Sequence, residues 1–384
     1  MKVLIVHRYF WPENIAEEPH MLKEIVAHHL LNGDTVTVVC GISARNSELY
    51  AEHFGVDRFS MSCFLTAPDR ELSAVGRVLN ALRLLYLAMR IQRRSDFDLC
   101  HIYTYPPFFC SVLAKCLRVL QPNMRIVANV QDIVAYLFDN RFIRQAYEWS
   151  FGHFCKHADV VVTLSASMKQ TLIEQYGVAP EKICINQNFN FLEAPKQRSA
   201  EKIYDIIYAG NLGKAQNLMA ILSWLNHLRH TLNIDLKLAV FGDGTEEQRL
   251  RDYASSNGVN AVFFGKVTRE TLSLELSKGR FGLISCANSL FSYAFPSKFG
   301  FYLLNGLPVI VTTNDVRIRD YVASNEFGLC VDPSNLNEAR KYAEAILKGC
   351  AIPDAETVSS EFSREGHLKK YEQYIERSKP ISST

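Results

Sequence analysis

Residues 2–39 read KVLIVHRYFWPENIAEEPHMLKEIVAHHLLNGDTVTVV and hold two short apolar runs, Lys2–Val6 and Thr35–Val39. Between these runs, apolar residues recur every three or four positions over Met21–Leu30, which predicts an amphipathic helix. Gly33 suits the left-handed position that follows a helix. A strand, a helix and a second strand in one short stretch form a βαβ unit, which implies a parallel sheet.

The same alternation continues through the rest of the chain. Further apolar runs are predicted to be buried strands, at residues 99–103, 125–130, 160–164, 183–186, 203–208, 236–241, 262–264, 281–285, 308–312 and 328–331. The polar stretch 188–201 contains Pro195 and is predicted to be a linker. The predicted fold class is therefore α/β, with two Rossmann-like parallel-sheet domains in residues 1–190 and 200–360. A charged amphipathic helix is predicted within the last segment, 361–384.

This architecture indicates where a functional site should lie. Ligands of open parallel sheets bind beyond the carboxyl ends of the strands. Two such sheets that face each other would place the site in a central cleft between the domains. The residues that follow predicted strands are therefore the candidates for function.

The composition is typical of a soluble globular protein and excludes several classes. The 384 residues include 42 Lys and Arg, 40 Asp and Glu, and 48% hydrophobic residues, so neither disorder nor nucleic-acid binding is expected. The 10 cysteines form no CxxC pair, which leaves zinc ribbons and thioredoxin-type pairs without support. With no secretory signal and no long apolar stretch, the sequence predicts free thiols, no metal and a cytoplasmic location.

A strand that runs into a glycine turn is the strongest local signal of the second domain. Residues 208–217 read YAGNLGKAQN, and Gly210 and Gly213 would let the backbone approach a ligand. A helix N-terminus would follow, where free N–H groups favour an anion, and Lys214 adds positive charge. The motif predicts a phosphate site. The alternative is a strand–helix turn that needs glycine for its own geometry.

Two further motifs follow strands of the same domain. Residues 241–246, FGDGTE, hold two glycines without a third at the right offset, which is weak as a dinucleotide fingerprint and more typical of a tight turn. Residues 263–267, FFGKV, end a strand beside a glycine, where exposed backbone could pair with the edge of a base.

Residues 293–310, YAFPSKFGFYLLNGLPVI, contain a third signal. Pro296 and Ser297 suit the start of a helix, and Lys298 would lie in its first turn. A cation in that turn opposes the helix macrodipole unless an anion lies nearby. The segment therefore indicates that Lys298 contacts an anion, with a solvated lysine as the alternative.

In their order and spacing, these motifs resemble those of the GT-B nucleotide-sugar glycosyltransferases, in particular the large retaining family four and its bacterial surface-polysaccharide branch. The similar blocks are YFWPEN at 9–14, YAGNLG at 208–213, VFGDG at 240–244, PSK at 296–298 with Gly306 and Pro308, and SREGH at 363–367. The resemblance covers nearly the whole chain. It implies a GT-B fold with two domains that face a central cleft, an acceptor-binding first domain, a nucleotide-sugar-binding second domain and a last helix that returns to the first.

By position, the resemblance implies three sets of donor-binding residues. The diphosphate would be bound by Gly210, Asn211, Gly213, Lys214, Gln216 and Lys298. The nucleoside would contact Gly242, Lys266, Val267, Phe301 and Tyr302. The donor sugar would lie against Ser292, Tyr293, Ala294 and Phe295. The nucleotide sugar is a substrate, and neither a cofactor nor a metal is implied.

Four positions depart from the family's pattern. Asn211 and Gln216 stand where the family usually has Arg and Lys, so the diphosphate charge would rest on two remaining lysines and on helix N-termini. Tyr293 and Phe301 stand where the family usually has two glutamates. The second glutamate normally accepts hydrogen bonds from the ribose hydroxyls. Phe301 cannot accept them, so the site would tolerate a deoxyribose donor such as a TDP-sugar.

Three residues are the candidates for catalysis. Lys298 would stabilise the leaving diphosphate. His101 and Asp132 both fall at predicted strand ends that would face the cleft, and Asp132 matches an acidic strand-end position of the family. For a histidine at such a position, a purely structural role is an equally good interpretation.

Residues 72–95 combine apolar residues with arginines and contain no acidic residue. On a helical wheel Arg83, Arg90 and Arg94 form one narrow stripe. Such a segment suits the surface of an anionic membrane, so contact through residues 77–94 at the inner face of the plasma membrane is predicted. The alternative is a helix packed between the sheet and solvent.

The sequence thus predicts a metal-independent hexosyltransferase that moves a sugar from a nucleotide diphosphate sugar to a saccharide acceptor. The resemblance further implies retention of configuration, a lipid-linked acceptor and a role in surface polysaccharide synthesis. Two alternatives stay open. One is a non-catalytic, degenerate transferase that binds a saccharide or a partner subunit, and the other is a GT-B nucleotide-sugar epimerase.

Overall fold

The computed structural model divides into two compact units, each with its own sheet. The first unit comprises Met1–Gln187 together with the residues from Leu368 onward, and the second comprises Asn188–His367. The structure describes residues 1–10, 21–42, 53–55, 57–66, 73–103, 108–188, 201–285, 296–312, 316–351 and 354–377. Most of the YFWPEN block, most of the predicted linker and the predicted donor-sugar loop lie outside these residues.

The first unit contains seven parallel strands in the order β3-β2-β1-β4-β5-β6-β7. The strands are β1 (Lys2–Tyr9), β2 (Thr35–Ile42), β3 (Phe59–Leu65), β4 (Leu99–Tyr103), β5 (Arg125–Asn129), β6 (Val160–Thr163) and β7 (Ile183–Ile185). The helices are α1 (Met21–Leu31), α2 (Ala74–Gln92), α3 (Phe109–Leu120), α4 (Arg141–His157) and α5 (Ala166–Glu174). The direction of the strand order reverses between β1 and β4, which is the usual ligand-binding point of such a sheet.

The second unit contains six parallel strands in the order β10-β9-β8-β11-β12-β13. The strands are β8 (Tyr204–Ala209), β9 (Leu238–Phe241), β10 (Ala261–Gly265), β11 (Gly279–Ser285), β12 (Val309–Thr312) and β13 (Gly328–Cys330). The helices are α6 (Leu218–Leu232), α7 (Glu247–Ser256), α8 (Arg269–Leu276), α9 (Lys298–Leu304), α10 (Val316–Ser324), α11 (Ala339–Lys348) and α12 (Ala355–Phe362). The order reverses between β8 and β11, so the loop after β8 lies at the equivalent point. The predicted fold class, α/β with two Rossmann-like parallel-sheet domains, is confirmed.

The edge strand of the first sheet, β3, was not predicted from the sequence. Its sequence, FSMSCFL, alternates serine with larger residues, and most of its side chains are only half-buried. An edge strand has one neighbour and less contact with the core, so it lacks the continuous apolar run that marked the central strands.

The last helix, α13 (Arg364–Arg377), begins in the second unit and packs on the sheet of the first. Its Tyr371 is fully buried, and the Tyr371 hydroxyl lies 2.8 Å from His101 Nε2. The same hydroxyl is hydrogen-bonded to His29 Nε2. Arg125 donates a 2.7 Å hydrogen bond to the carbonyl of Ile375. These contacts hold α13 against the first unit.

His101 does not lie where the sequence analysis placed it. The prediction of an accessible strand-end histidine was wrong, because His101 occupies the middle of β4 and its side chain is 0% exposed. The ring stacks against Tyr371, and burial lowers the His101 pKa well below its ordinary value. In this position a neutral imidazole supports α13, which corresponds to the structural interpretation.

Candidate active site

The glycine turn of the second unit begins where β8 ends. Gly210 has a φ of +141°, a conformation that favours glycine. Its amide donates a 2.8 Å hydrogen bond to the carbonyl of Phe241, and the amide of Leu212 donates another, of 2.8 Å, to the carbonyl of Asp243. The turn after β8 is therefore fastened along its length to the loop after β9.

Lys298 lies at the start of α9 and reaches back to this turn. Its ammonium donates a 3.0 Å hydrogen bond to the hydroxyl of Tyr208 and lies 4.5 Å from the centre of the Tyr208 ring. The Tyr208 hydroxyl in turn donates a 2.7 Å hydrogen bond to the carbonyl of Asn211. A Cβ on Gly210 would lie 2.6 Å from Lys298 Cε, so the glycine makes room for the lysine.

Three other residues of the predicted diphosphate set come together on the same turn. A Cβ on Gly213 would lie 2.8 Å from Asn211 Nδ2 and 2.9 Å from Gln216 Oε1, so both side chains converge on this glycine. Gln216 Oε1 is buried and has no hydrogen-bond partner among the described residues. A buried acceptor normally has a donor, which indicates room for a polar group that the protein does not supply. Lys214 is exposed at the edge of the turn.

The end of the glycine turn is hydrogen-bonded to β11. Ser285, the last residue of β11, donates a 2.6 Å hydrogen bond to the carbonyl of Gln216. Asn217 follows with a left-handed φ of 49°, and α6 begins at the next residue. The structure thus brings together Gly210, Asn211, Gly213, Lys214, Gln216 and Lys298, all of the predicted diphosphate set, with the amides of the first turn of α6 close in sequence.

The residues predicted to contact the nucleoside differ in their packing and in their exposure to solvent. Gly242 is packed against the backbone of Gly210, so its lack of a side chain serves the packing of two loops. Lys266 is exposed and Val267 is half-buried, and both follow the edge strand β10. Phe301 is half-buried on α9, next to the ring of Tyr302.

Tyr302 cannot touch a nucleoside in this structure, contrary to the prediction. It is 0% exposed, and its hydroxyl accepts a 2.8 Å hydrogen bond from the amide of Ala209. Its ring lies directly against Gly282, where any Cβ would fall 2.3 Å from the ring. Tyr302 therefore supports the end of β8 from behind. Ser292, Tyr293, Ala294 and Phe295, predicted for the donor sugar, lie outside the described residues.

Tyr208 is the residue of this site to which the sequence analysis gave no role. Its side chain is fully buried, and its hydroxyl joins Lys298 to the glycine turn. A tyrosine as the penultimate strand residue before a glycine turn was visible in the sequence. Nothing in the sequence showed that a lysine 90 residues further along would reach its hydroxyl.

In the first unit, Asp132 lies just beyond β5, near the carboxyl edge of the sheet. The Asp132 side chain is exposed to solvent at the surface, but partial desolvation by the surrounding protein raises its pKa to about 6, against the attraction of Arg8 from β1. Nearby on the same edge, His7 contacts the ring of Tyr103, with ring centres 5.0 Å apart. The structure therefore adds His7 and Arg8 to the candidate residues of this edge. A carboxyl group with a raised pKa is a frequent feature of functional sites.

The raised pKa of Asp132 gives a pH-dependent prediction. Because the folded-state pKa lies above the ordinary value of 3.8, the contribution of this group to stability is greatest below 3.8 and is lost as the pH rises through about 6. Asp132→Asn should therefore raise the melting temperature at pH 8 and leave it unchanged at pH 3.5. Thermal denaturation at the two pH values measures this, and an equal difference at both would show that the Asp132 carboxylate is not desolvated.

The comparisons with known proteins agree with this architecture. The family model for Glycosyltransferase Family 4 matches residues 21–189, and the model for Glycosyl transferases group 1 matches residues 190–357. The two matches adjoin and together span most of the chain. The chain belongs to the GT-B glycosyltransferases and is an enzyme of sugar transfer.

Solved structures show the same fold at low sequence identity. A lipopolysaccharide outer core galactosyltransferase, WaaB, is 12% identical with a TM-score of 0.67, covering 98% of this chain and 99% of that chain. A glycosyltransferase from Rickettsia africae ESF-5 is 15% identical with a TM-score of 0.66, covering 99% of both chains. Sucrose-phosphate synthase from Thermosynechococcus elongatus is 13% identical with a TM-score of 0.68, covering 98% of both. No curated protein shows significant sequence similarity to this chain.

Proposed function

We propose that this glycosyltransferase binds the diphosphate of a nucleotide sugar on the glycine turn after β8, with Lys298 as the principal cation. The observation that carries the proposal is the position of Lys298, whose ammonium is held above Gly210 by the hydroxyl and ring of Tyr208. A lysine held at this glycine turn is well suited to bind an anion, because α6, a helix of 15 residues, begins directly after the turn. The missing family cations at Asn211 and Gln216 leave Lys214 as the second positive charge.

The chemistry follows from the charge that develops during sugar transfer. As the bond between the sugar and the diphosphate breaks, negative charge grows on the departing phosphate oxygen. A pre-positioned ammonium stabilises that charge more than it stabilises the ground state, and such electrostatic stabilisation is usually the largest catalytic contribution. The proposal needs no metal ion. The amide groups of Asn211 and Gln216 would supply hydrogen bonds where the family usually supplies charge.

We further propose that transfer proceeds with retention, so that the departing phosphate oxygen itself accepts the proton of the acceptor hydroxyl. No protein base is then required at the reacting carbon. Asp132, which is ionised above about pH 6, is proposed as the acidic residue of the first unit that acts on the acceptor side. The anomeric configuration of the product, read from NMR couplings, tests retention directly.

The proposed acceptor is a saccharide carried on a lipid, in the synthesis of a surface polysaccharide. Support comes from α2, whose exposed side chains include the apolar Val75 and Leu82 beside the cationic Arg83 and Arg90. The structurally similar WaaB is described as a lipopolysaccharide outer core galactosyltransferase, which is compatible with such an acceptor. The alternatives of a non-catalytic partner and of an epimerase gain no support from the comparisons.

Nucleotide binding by the isolated protein tests the donor site. A ligand at 100 times its Kd stabilises the folded state by about 2.7 kcal/mol, which corresponds to a rise of roughly 5–10 °C in melting temperature. We expect such a rise with at least one of UDP, GDP and TDP, and a smaller one with CMP, which lacks the second phosphate. Lys298→Ala should remove most of it. No shift with any diphosphate would contradict the assignment of the site.

The identity of the preferred diphosphate tests the role of Phe301. A ribose 2′-hydroxyl buried against Phe301 without a partner would cost about 1–3 kcal/mol, and a deoxyribose would escape that cost. Calorimetric titration with UDP, GDP and TDP compares them directly. Tenfold tighter binding of UDP or GDP than of TDP would show that the ribose does not rest on Phe301.

A further inference from the structure

We propose that the outer surfaces of α2, α3 and α4 together form one face that binds an anionic lipid bilayer. From the sequence, membrane contact was predicted only for residues 77–94, which lie on and just after α2. The wider face, here named the basic face, also includes α3 and α4, and it does not depend on the assignment of the donor site. In the described residues no helix is long and apolar enough to cross a membrane, so the proposed contact is with the bilayer surface.

Exposed apolar side chains are concentrated on these three helices. Of the 21 large exposed hydrophobic residues in the described part of the chain, 11 lie on them. They are Val75, Val78, Leu79, Leu82 and Tyr86 on α2, Val112, Val119 and Leu120 on α3, and Phe142, Ile143 and Trp149 on α4. Clusters of this kind mark interaction surfaces, whereas scattered exposed residues are ordinary.

The three helices lie side by side. α3 packs against α2 on one side and against α4 on the other. The inner surfaces are in the core, where Leu84 and Ala88 of α2 and Leu117 of α3 are buried. The exposed residues therefore lie on the outward surfaces of one continuous layer.

On α2 the exposed apolar residues form a line along the helix. Val75, Leu79, Leu82 and Tyr86 follow one another at spacings of three or four, which places them on one side of the helix. Leu84, by contrast, is buried on the inner side of the helix. The outward surface of α2 carries an apolar line with arginines beside it.

On α4 the apolar residues are aromatic. Phe142 is 80% exposed and Trp149 is 71% exposed, and they are two helical turns apart. The Trp149 ring stacks on His153, with ring centres 5.5 Å apart, so it is held in an exposed position. Tryptophan prefers the boundary between lipid headgroups and acyl chains, which is the environment that a bilayer surface would offer.

The charge of the face selects an anionic partner. The chain as a whole has a net charge of +2. The three helices have one acidic residue, Glu148, against the basic residues Arg77, Arg83, Arg90, Lys115, Arg118, Arg141, Arg144 and Lys156. Arg118 forms an ion pair with Asp159, which follows α4. Each cation near an anionic bilayer strengthens binding about fivefold.

A second copy of the chain is a poorer occupant. A symmetric dimer through this face would bring the same cations together, and like charges at an interface oppose association. The combination of exposed apolar side chains, neighbouring arginines and an exposed tryptophan is instead typical of a surface that binds a bilayer.

Vesicle binding by the full-length protein tests the proposal. We expect co-sedimentation with vesicles of phosphatidylcholine and phosphatidylglycerol at low salt, and no binding to phosphatidylcholine alone. Arg83→Gln/Arg90→Gln/Arg141→Gln should weaken binding to the anionic vesicles at least tenfold. Phe142→Ser/Trp149→Ser should do so as well, although it leaves residues 77–94 unchanged. The fluorescence of Trp149 should shift to shorter wavelength on anionic vesicles, and Trp149→Phe should remove that shift.

Matched controls come from the second unit. Leu274→Ser/Val316→Ser removes two exposed apolar residues and should leave vesicle binding unchanged. Circular dichroism of each variant shows whether it is folded. Absence of binding by the parent protein to anionic vesicles overturns the proposal. Normal binding by the Phe142/Trp149 variant overturns the three-helix face and leaves α2 alone. A dimer of the parent that the same substitutions dissociate, without vesicle binding, identifies a second copy as the occupant and also overturns it.

Discussion

Lys298→Ala is expected to lower kcat/KM about 100-fold or more while the second unit stays folded. The ammonium of Lys298 is held at the glycine turn, 3.0 Å from the Tyr208 hydroxyl. If it stabilises the departing diphosphate, its removal should cost about 2.7–4 kcal/mol in the transition state, as for other groups that stabilise developing negative charge. Initial rates at several donor concentrations, with donor hydrolysis as the readout when no acceptor is known, measure the effect.

Two further variants separate the charge of Lys298 from its position. Tyr208→Phe keeps the ring beneath the ammonium and removes only the hydroxyl, so it should give an effect between those of the parent and Lys298→Ala. Lys348→Ala removes an exposed lysine from the last turn of α11 and should leave the kinetics unchanged. If Lys298→Ala retains kcat/KM within about twofold of the parent, the lysine is a solvated residue and the proposed donor site is wrong.

The residues around Lys298 show what the sequence could predict. A glycine at the end of an apolar run, with a second glycine and a lysine soon after, was sufficient to predict a phosphate site at Gly210. This signal is local, because strand, turn and helix follow one another along the chain. The contact between Lys298 and Tyr208 is not local, since it joins two residues whose proximity depends on the whole sheet.

His101 and Tyr302 show where sequence reasoning was wrong, for one physical reason. His101 was placed at the end of a predicted strand, and Tyr302 was assigned to the nucleoside by its position in the family resemblance. In the structure each is fully buried and hydrogen-bonded, His101 to Tyr371 and Tyr302 to the amide of Ala209. A buried polar group needs a partner, and here the partner comes from a distant segment that the sequence pattern did not connect.

The basic face, too, combines segments that are distant in the sequence, and a sequence pattern does not connect such segments. The arginines of α2 were visible as a cluster in the sequence. Phe142 and Trp149 lie more than 50 residues further on, in a helix that by itself resembles any amphipathic helix. Only the packing of α3 between α2 and α4 makes one surface of three segments.

Gly242→Ala is expected to destabilise the second unit severely, lowering its melting temperature by about 10 °C. Gly242 follows β9 with a φ of +125°, a conformation that other residues rarely adopt. A Cβ there would lie 2.0 Å from the carbonyl oxygen of Gly210, and this contact is with backbone rather than with a flexible side chain. Backbone strain and overpacking each cost about 1–3 kcal/mol, and about 2–4 °C is lost per kcal/mol in a domain of this size.

Backbone hydrogen bonds of both glycine loops prevent Gly210 and Gly242 from moving apart to relieve this clash. The amide of Gly242 donates a 2.7 Å hydrogen bond to the carbonyl of Gly265, and the amide of Gly210 donates to the carbonyl of Phe241. Any shift that relieves the clash must break one of these bonds or move Gly210 away from Lys298. We therefore expect that the variant, at temperatures where it is still folded, also binds nucleoside diphosphates at least tenfold more weakly than the parent.

Gly258→Ala is the matched control for Gly242→Ala. Gly258 also has a positive φ, of +60°, but nothing lies within 4 Å of the position its Cβ would take. It should therefore show the backbone cost alone, about 1–2 kcal/mol, without loss of nucleotide affinity. Thermal denaturation followed by calorimetry compares the two variants. If Gly242→Ala is no less stable than Gly258→Ala, the close packing of the two glycine loops does not determine the geometry of the donor site.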